Sequence, residues 1–161
     1  MLQILNLMRK KEKEVTDIYE IESIISNSDV CRIALADGNI PYIVTMNFGY
    51  CGGNNKRIYF HCAPEGRKID IIRKNNYACF EMDTGHVIRE SKSPCNFSME
   101  YKSIVGYGHI SLVMDETEKI SGLNAIMSHY SGCNKFVYKK SGFDAVQVLR
   151  LDITELKGKK S

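Results

Sequence analysis

The stretch Val30-Cys31-Arg32-Ile33-Ala34-Leu35-Ala36-Asp37-Gly38-Asn39-Ile40-Pro41-Tyr42-Ile43-Val44-Thr45-Met46-Asn47-Phe48 decides the fold class. Residues 30–35 and 41–48 are short runs of strand-forming side chains, and Asp37-Gly38-Asn39 between them is a turn cluster. Two strands joined by so short a connection pair antiparallel. Downstream, Gly52-Gly53-Asn54-Asn55 marks a second turn before a third strand at 57–62. A short helix at 66–74, a strand at 77–83, a strand at 103–114 and a last strand at 145–154 follow. Ile18, Ile21, Ile24 and Ile25 give 17–26 one apolar helical face behind Thr16 or Asp17 as N-cap, and Ile120, Leu123 and Met127 do the same for 115–129 ahead of Ser131-Gly132.

Two details refine this. Gly106 and Gly108 inside the fifth strand predict a bend or a close approach. The apolar phase of the last strand slips between Val148 and Leu149, which predicts a bulge or burial on both faces. The polar stretch 84–98, with Gly85 and Pro94, reads as a loop long enough to be functional. The order of elements predicts a mainly β, α+β fold: an antiparallel six-stranded sheet curled into a split barrel with helices at its ends. A doubly wound parallel sheet would need a helix after nearly every strand. The 161 residues read as one domain, with 1–10 and 157–161 as flexible tails.

Composition narrows the partners. The formal charge is +3, and Lys157-Gly158-Lys159-Lys160 carries much of the excess, so no nucleic-acid surface is expected. No run approaches the ~20 apolar residues of a membrane span. The basic Arg9-Lys10-Lys11 follows the short apolar start instead of preceding it, unlike a secretory signal. None of Cys31, Cys51, Cys62, Cys79, Cys95 and Cys133 forms a Cys-x-x-Cys pair. Reduced thiols and a cytoplasmic location are the expectation. His61, Cys62, His86 and Cys95 match no zinc spacing, and no metal site is expected.

Chemistry concentrates in Tyr59-Phe60-His61-Cys62-Ala63-Pro64-Glu65-Gly66-Arg67-Lys68-Ile69-Asp70-Ile71-Ile72-Arg73-Lys74. A strand ends, a Pro-bearing turn follows, and a helix starts with two cations in its first turn. Cations there oppose the helix dipole by roughly 0.3–1 kcal/mol each, and a bound anion would remove the conflict. The residues alone leave two readings open: a solvated helix start, or a phosphate seat. Neither a Walker loop nor a dinucleotide fingerprint is present. His61 likewise reads either as a strand-end histidine with a backbone partner or as a neighbour of a ligand.

This segment resembles the phosphate-binding segment of the pyridoxamine 5′-phosphate oxidase-like flavoproteins. The pieces Asp29-Val30-Cys31-Arg32-Ile33-Ala34, Pro41-Tyr42-Ile43-Val44, Asn47-Phe48-Gly49-Tyr50 and Tyr101-Lys102-Ser103-Ile104-Val105-Gly106-Tyr107-Gly108 resemble the nitroimidazole-resistance branch of that group. The resemblance implies an FMN-binding split-barrel homodimer with FMN at the subunit interface. By position it implies Arg67 and Lys68 on the phosphate, with Arg32 as a third cation. Ile33, His61 and Cys62 would lie along the ribityl chain and ring, and Asn47 near the ring. Tyr101 and Ser103 would come from the partner subunit or its edge, and His61 is the implied catalytic group. The implied function is an FMN-dependent oxidoreductase that reduces small electrophiles such as nitroimidazoles or nitroaromatics, with NAD(P)H as donor. A non-catalytic flavin- or haem-binding sensor or store is the alternative, and a purely structural module a third. Two departures argue against vitamin B6 oxidation. The chain has no Trp, and its end, Arg150-Leu151-Asp152-Ile153-Thr154, does not match that enzyme's substrate segment. Gly66 also stands where those oxidases carry a serine.

Overall fold

Eight strands form one antiparallel sheet in the computed structural model, which describes residues 10–133 and 136–161. In chain order the elements are β1 (Glu14–Val15), α1 (Ile18–Ser26), β2 (Cys31–Asp37), β3 (Ile40–Met46), β4 (Phe48–Cys51), β5 (Arg57–Cys62), α2 (Arg67–Lys74), β6 (Tyr77–Arg89), β7 (Ser98–Leu112), α3 (Glu116–Ser131), α4 (Lys140–Asp144) and β8 (Gln147–Lys160). The strands lie in the order β3-β2-β6-β7-β8-β5-β4, with β1 paired to the far end of β8. The expected hairpin is β2–β3, in register from Cys31 opposite Met46 to Asp37 opposite Ile40.

The sheet has to curl, because residues far apart along it share one core. Ile33 and Leu35 of β2 pack in the same cluster as Ile58 and Phe60 of β5, four strands away in the sheet order. Phe48, Phe60 and Phe80 are fully buried at its centre. Truncating such a ring typically costs about 3–5 kcal/mol. The close approach expected in β7 is real: the Phe80 ring occupies the space that a Cβ at Gly106 would need. The result is an open, split-barrel-like sheet with helices packed on it.

A second, smaller core lies on the other side of β5 and β8. Tyr59 and Val148 join Val113 with Leu123 and Ile126 of α3. This explains the phase slip: Val148 faces α3 while Leu149 faces the main core, and both are fully buried. The irregularity in the β7–β8 ladder falls later, where Gly108 pairs with Ile153 and Tyr107 with Glu155. The buried face of α3 is Gly122, Leu123 and Ile126, so Ile120 and Met127 of the expected stripe are exposed.

Three expectations are corrected. The strand count is eight instead of six, because the expected second strand breaks at Asn47 into β3 and β4 and because two residues add β1. Residues 84–89 continue β6, and 98–102 begin β7 earlier than expected, so most of the supposed loop is a two-stranded arm. Residues 87–89 and 98–100 pair with each other beyond the end of β8 and are exposed or half-exposed, which is why their composition reads as a loop. Lys157 to Lys160, expected as a tail, finish β8, with Gly158 packed against Val15 of β1. Lysines at alternate positions carry no apolar signal, and only the flanking strands reveal the pairing. Of the expected N-terminal tail, 1–10, all but Lys10 lies outside the described residues.

The contact of α3 with β4 has no slack. A Cβ at Gly49 would overlap the backbone of Ala125 and Ile126. Gly49→Ala is expected to lower the stability by about 1–3 kcal/mol, read as a lower urea midpoint at unchanged slope.

Candidate functional site

The start of α2 is built differently from the other long helices. Asp17 caps α1 by accepting from the Tyr19 amide, and Asp115 caps α3 by accepting from the Glu118 amide. At α2 the N-cap is Gly66, at φ 122°, a left-handed-side conformation that an L side chain rarely takes. No side chain caps this end. The amides of Ile69 and Asp70 turn back to the Gly66 carbonyl, which leaves those of Arg67 and Lys68 as the outward donors. Buried Ile69, Ile71 and Ile72 fix the helix on the core.

Arg67 and Lys68 flank these donors with little to neutralise them. The Arg67 guanidinium lies 4.9 Å over the Tyr42 ring, and its one carboxylate neighbour among the described residues, Asp37, is 3.7 Å away. Lys68 Nζ rests 3.9 Å from Met46 Sδ and has no carboxylate partner among the described residues. Cys62 faces the same place: burial pushes its thiol up and the Lys68 charge pulls it back. Cys62, Arg67 and Lys68 therefore converge with Tyr42 and Met46 of β3, and Asn47 follows Met46 at the exposed break between β3 and β4. Tyr42, Met46 and Asp37 were not foreseen. Their inward phase on β3 and the turn at Asp37 were the available signals.

The other expected residues lie elsewhere. His61 is exposed on the opposite side of β5 from Cys62, beside Val148 in register, with no hydrogen-bond partner among the described residues. Ile33 is fully buried, and its backbone is laddered between Val44 and Phe80. Arg32 alternates with it on the outer face of β2. There it donates to Glu81 Oε2 at 3.0 Å and Asp83 Oδ1 at 2.7 Å. His86 Nε2 is 3.1 Å from the second oxygen of Asp83, and the His86 ring lies 6.3 Å from that of Tyr101, 14° from parallel. Lys159 Nζ donates to the Tyr101 hydroxyl at 2.8 Å, and Ser103 sits between Asp83 and Lys159 in register. Arg32, Asp83 and His86 line a cleft of about 260 Å³ with Asp29, Val30, Thr84 and Gly85.

Charge balance in this outer cluster is uneven. Burial raises both carboxyls. Glu81 stays raised because Asp83 adds a like charge, whereas at Asp83 the hydrogen bond and charge of Arg32, with His86, win and hold it below its ordinary range. Further along, Glu118 accepts from Tyr59 at 3.1 Å and from Arg150 at 2.8 Å, which ties α3 to β5 and β8.

Comparison with known proteins places this architecture. The family model described as pyridoxamine 5′-phosphate oxidase matches residues 17–160. A solved structure of a candidate 5-nitroimidazole antibiotic resistance protein from Bacteroides thetaiotaomicron is 32% identical, with a TM-score of 0.79, covering 91% of this chain and 86% of its own. The flavocytochrome Anf3 from Azotobacter vinelandii shares the fold at 17% identity and TM-score 0.78, over 97% of this chain and 72% of its own. A FAD and heme binding protein from Mycobacterium smegmatis does so at 14% and 0.77, over 92% and 73%. No curated protein matches the chain.

The outer cluster makes a pH prediction. Asp83 is lowered from about 3.8, so the stability it lends is fully present above that value and is lost as pH falls through its lower folded value. Raised Glu81 acts with the opposite sign, gaining on acidification. The Asp83 contribution should therefore show as a fall of the wild-type urea midpoint only as pH drops below about 3.8, after any gain from Glu81 at higher pH, and Asp83→Asn should remove that low-pH fall.

Proposed function

The chain belongs to the pyridoxamine 5′-phosphate oxidase family, and from that premise we propose that it is an FMN-binding oxidoreductase that reduces small electrophiles such as nitroimidazoles. The observation that carries this reading is the uncapped start of α2, where two outward amides, Arg67 and Lys68 converge beside Cys62. A phosphate monoester fits this donor set: it is a dianion that accepts from backbone amides and cations together. Arg32 is committed to Glu81 and Asp83, so the phosphate assignment rests on Arg67 and Lys68. When bound, FMN supplies the electron-transfer chemistry, and the chain's part is to hold and orient it. NAD(P)H is the proposed donor. The nitro acceptor is supported by the name carried by the Bacteroides relative.

Vitamin B6 oxidation is not proposed. Arg150 is taken up by Glu118 and Asp152 instead of standing free for a substrate. A non-catalytic flavin- or haem-binding role is the second reading, favoured by the binding named for the Mycobacterium structure. The six cysteines are all free thiols, which supports a reducing cytoplasm. No helix among the described residues is long and apolar enough to cross a membrane.

A homodimer is part of the proposal. Ile43, Ala34, Cys79 and Tyr107 stand in one cross-strand row on the outer face of β3, β2, β6 and β7. Ile43 is 65% exposed, and the Tyr77 and Tyr107 rings stack 5.9 Å apart beside the row. A second copy on this row would bring the Tyr101 and Ser103 side of one subunit toward the cofactor of the other.

Two measurements test these points. Arg67→Ala with Lys68→Ala should weaken FMN binding at least about tenfold, given about 1.5–3 kcal/mol per charge-assisted contact. Unchanged affinity would reject the seat. Ile43→Asp should shift the sedimentation coefficient from dimer to monomer at micromolar concentration, and a wild type that sediments as a monomer would reject the dimer.

A further inference from the structure

We propose that Asp37 sets the affinity of the phosphate seat, because its carboxylate competes with the phosphate of the cofactor for the Arg67 guanidinium. The inference rests on the FMN reading and deepens it, by naming a residue that opposes the cofactor instead of holding it.

Asp37 is delivered to the start of α2 by the fold. It closes β2, opposite Ile40 in register, and the chain turns sharply after it at Gly38, with φ 61°. The same end of β2 is tied to the far end of α2, where Asn75 Nδ2 donates to the Ala36 carbonyl at 3.4 Å. Asp37 Oδ2 then lies 3.7 Å from Arg67 Nη2. The two side chains are 35% and 54% exposed, so an anion arriving from solvent reaches this pair without disturbing the core.

The pair is built to be displaced. At 3.7 Å it is a charge contact and not a hydrogen bond, whereas Arg32 donates to Asp83 at 2.7 Å. An exposed contact of this kind holds a long side chain loosely. A phosphate offers the same guanidinium charge-assisted hydrogen bonds, which are stronger. Arg67 leans on Tyr42, while Lys68 Nζ lies by Met46 Sδ, four residues further along β3. A phosphate is compact, so sharing one between both cations requires Arg67 to turn from Asp37 toward it. The Tyr42 ring supports the guanidinium through its face and so tolerates that turn. Lys68 has no carboxylate partner among the described residues, and the competition falls on Arg67.

This arrangement selects among anions. Releasing Arg67 costs the same whichever anion arrives, and the freed Asp37 charge repels them all. An anion that engages one cation gains little, whereas one that takes the outward amides, Arg67 and Lys68 together is retained.

Flavin fluorescence titrations of the full-length protein test this, with riboflavin as the ligand that lacks the phosphate. Asp37→Asn should bind FMN about three- to fivefold more tightly than the wild type, the upper part of what an exposed ion pair is worth, and riboflavin no more tightly. Asp37→Ser, which keeps the turn chemistry without the charge, should do the same. The gain should shrink in about 0.5 M NaCl and should be lost in an Arg67→Ala background. Without flavin neither variant should have a higher Tm than the wild type, and the same FMN concentration should raise the variants' Tm further. Unchanged or weaker FMN binding in the folded variants would overturn the proposal and leave the flavin reading intact. An equal gain for riboflavin, or a gain that survives Arg67→Ala, would overturn it as well. Failure of the wild type and of both variants to bind FMN would overturn both readings.

Discussion

Burial of the β5–β8 pair on both faces is the constraint on which the rest of the molecule depends. Phe60 and Leu149 close the main core, while Tyr59 and Val148, one residue away on each strand, hold α3. Each such side chain contributes about 1.5–3 kcal/mol by leaving water. A strand pair loaded on both sides cannot slip, since a shift of one residue would exchange the two cores. The end of β5 is fixed by that register, and α2 begins five residues beyond it, at Arg67. The position of Arg67 and Lys68 is thus set by packing that contains neither of them.

The same rigidity separates two kinds of polar site. At α2 the cations have weak partners, Asp37 at 3.7 Å for Arg67 and Met46 Sδ at 3.9 Å for Lys68, and the proposed phosphate seat rests on this. On the outer face, Arg32 is saturated by two carboxylates, and the surplus negative charge is directed to His86. A side chain that is already paired holds geometry, and one that is weakly paired is the candidate for a ligand. Arg32 and Arg67 look interchangeable as isolated cations, yet they fall on opposite sides of this division.

The long β6–β7 arm connects these features. Gly85, at φ 70°, and the register shift between Thr84 and Val87 turn the strand where it leaves the sheet. His86 lies at this turn, and its bond to Asp83 joins the arm to the body. Beyond it Val87, Ile88 and Met99 on the two strands and Phe97 in the connection between them are exposed. A two-stranded ribbon is marginal by itself, so the polar ties at its base matter to where it points.

Much was legible in the sequence where a side chain's role is local. The β2–β3 hairpin, the bounds of β5 and the α2 segment follow from period, turn chemistry and capping, while the choice of Asp17 over Thr16 as cap and of double-faced burial over a bulge at Val148 and Leu149 came from the structure. What was hidden has a common cause. Lys159 in β8, Val87 in β6 and Glu14 in β1 pair through backbone groups that every residue possesses, so their composition is silent about it. The role of Arg32 was equally hidden, because its partners lie 49 and 51 residues away and meet it only through the β2–β6 register. The sequence by itself determined a curled antiparallel sheet and an anion-competent helix start, since both are written in neighbouring residues. Only the tertiary structure decided which cations are strongly paired and which histidines have ring partners, because those depend on groups brought together from distant parts of the chain.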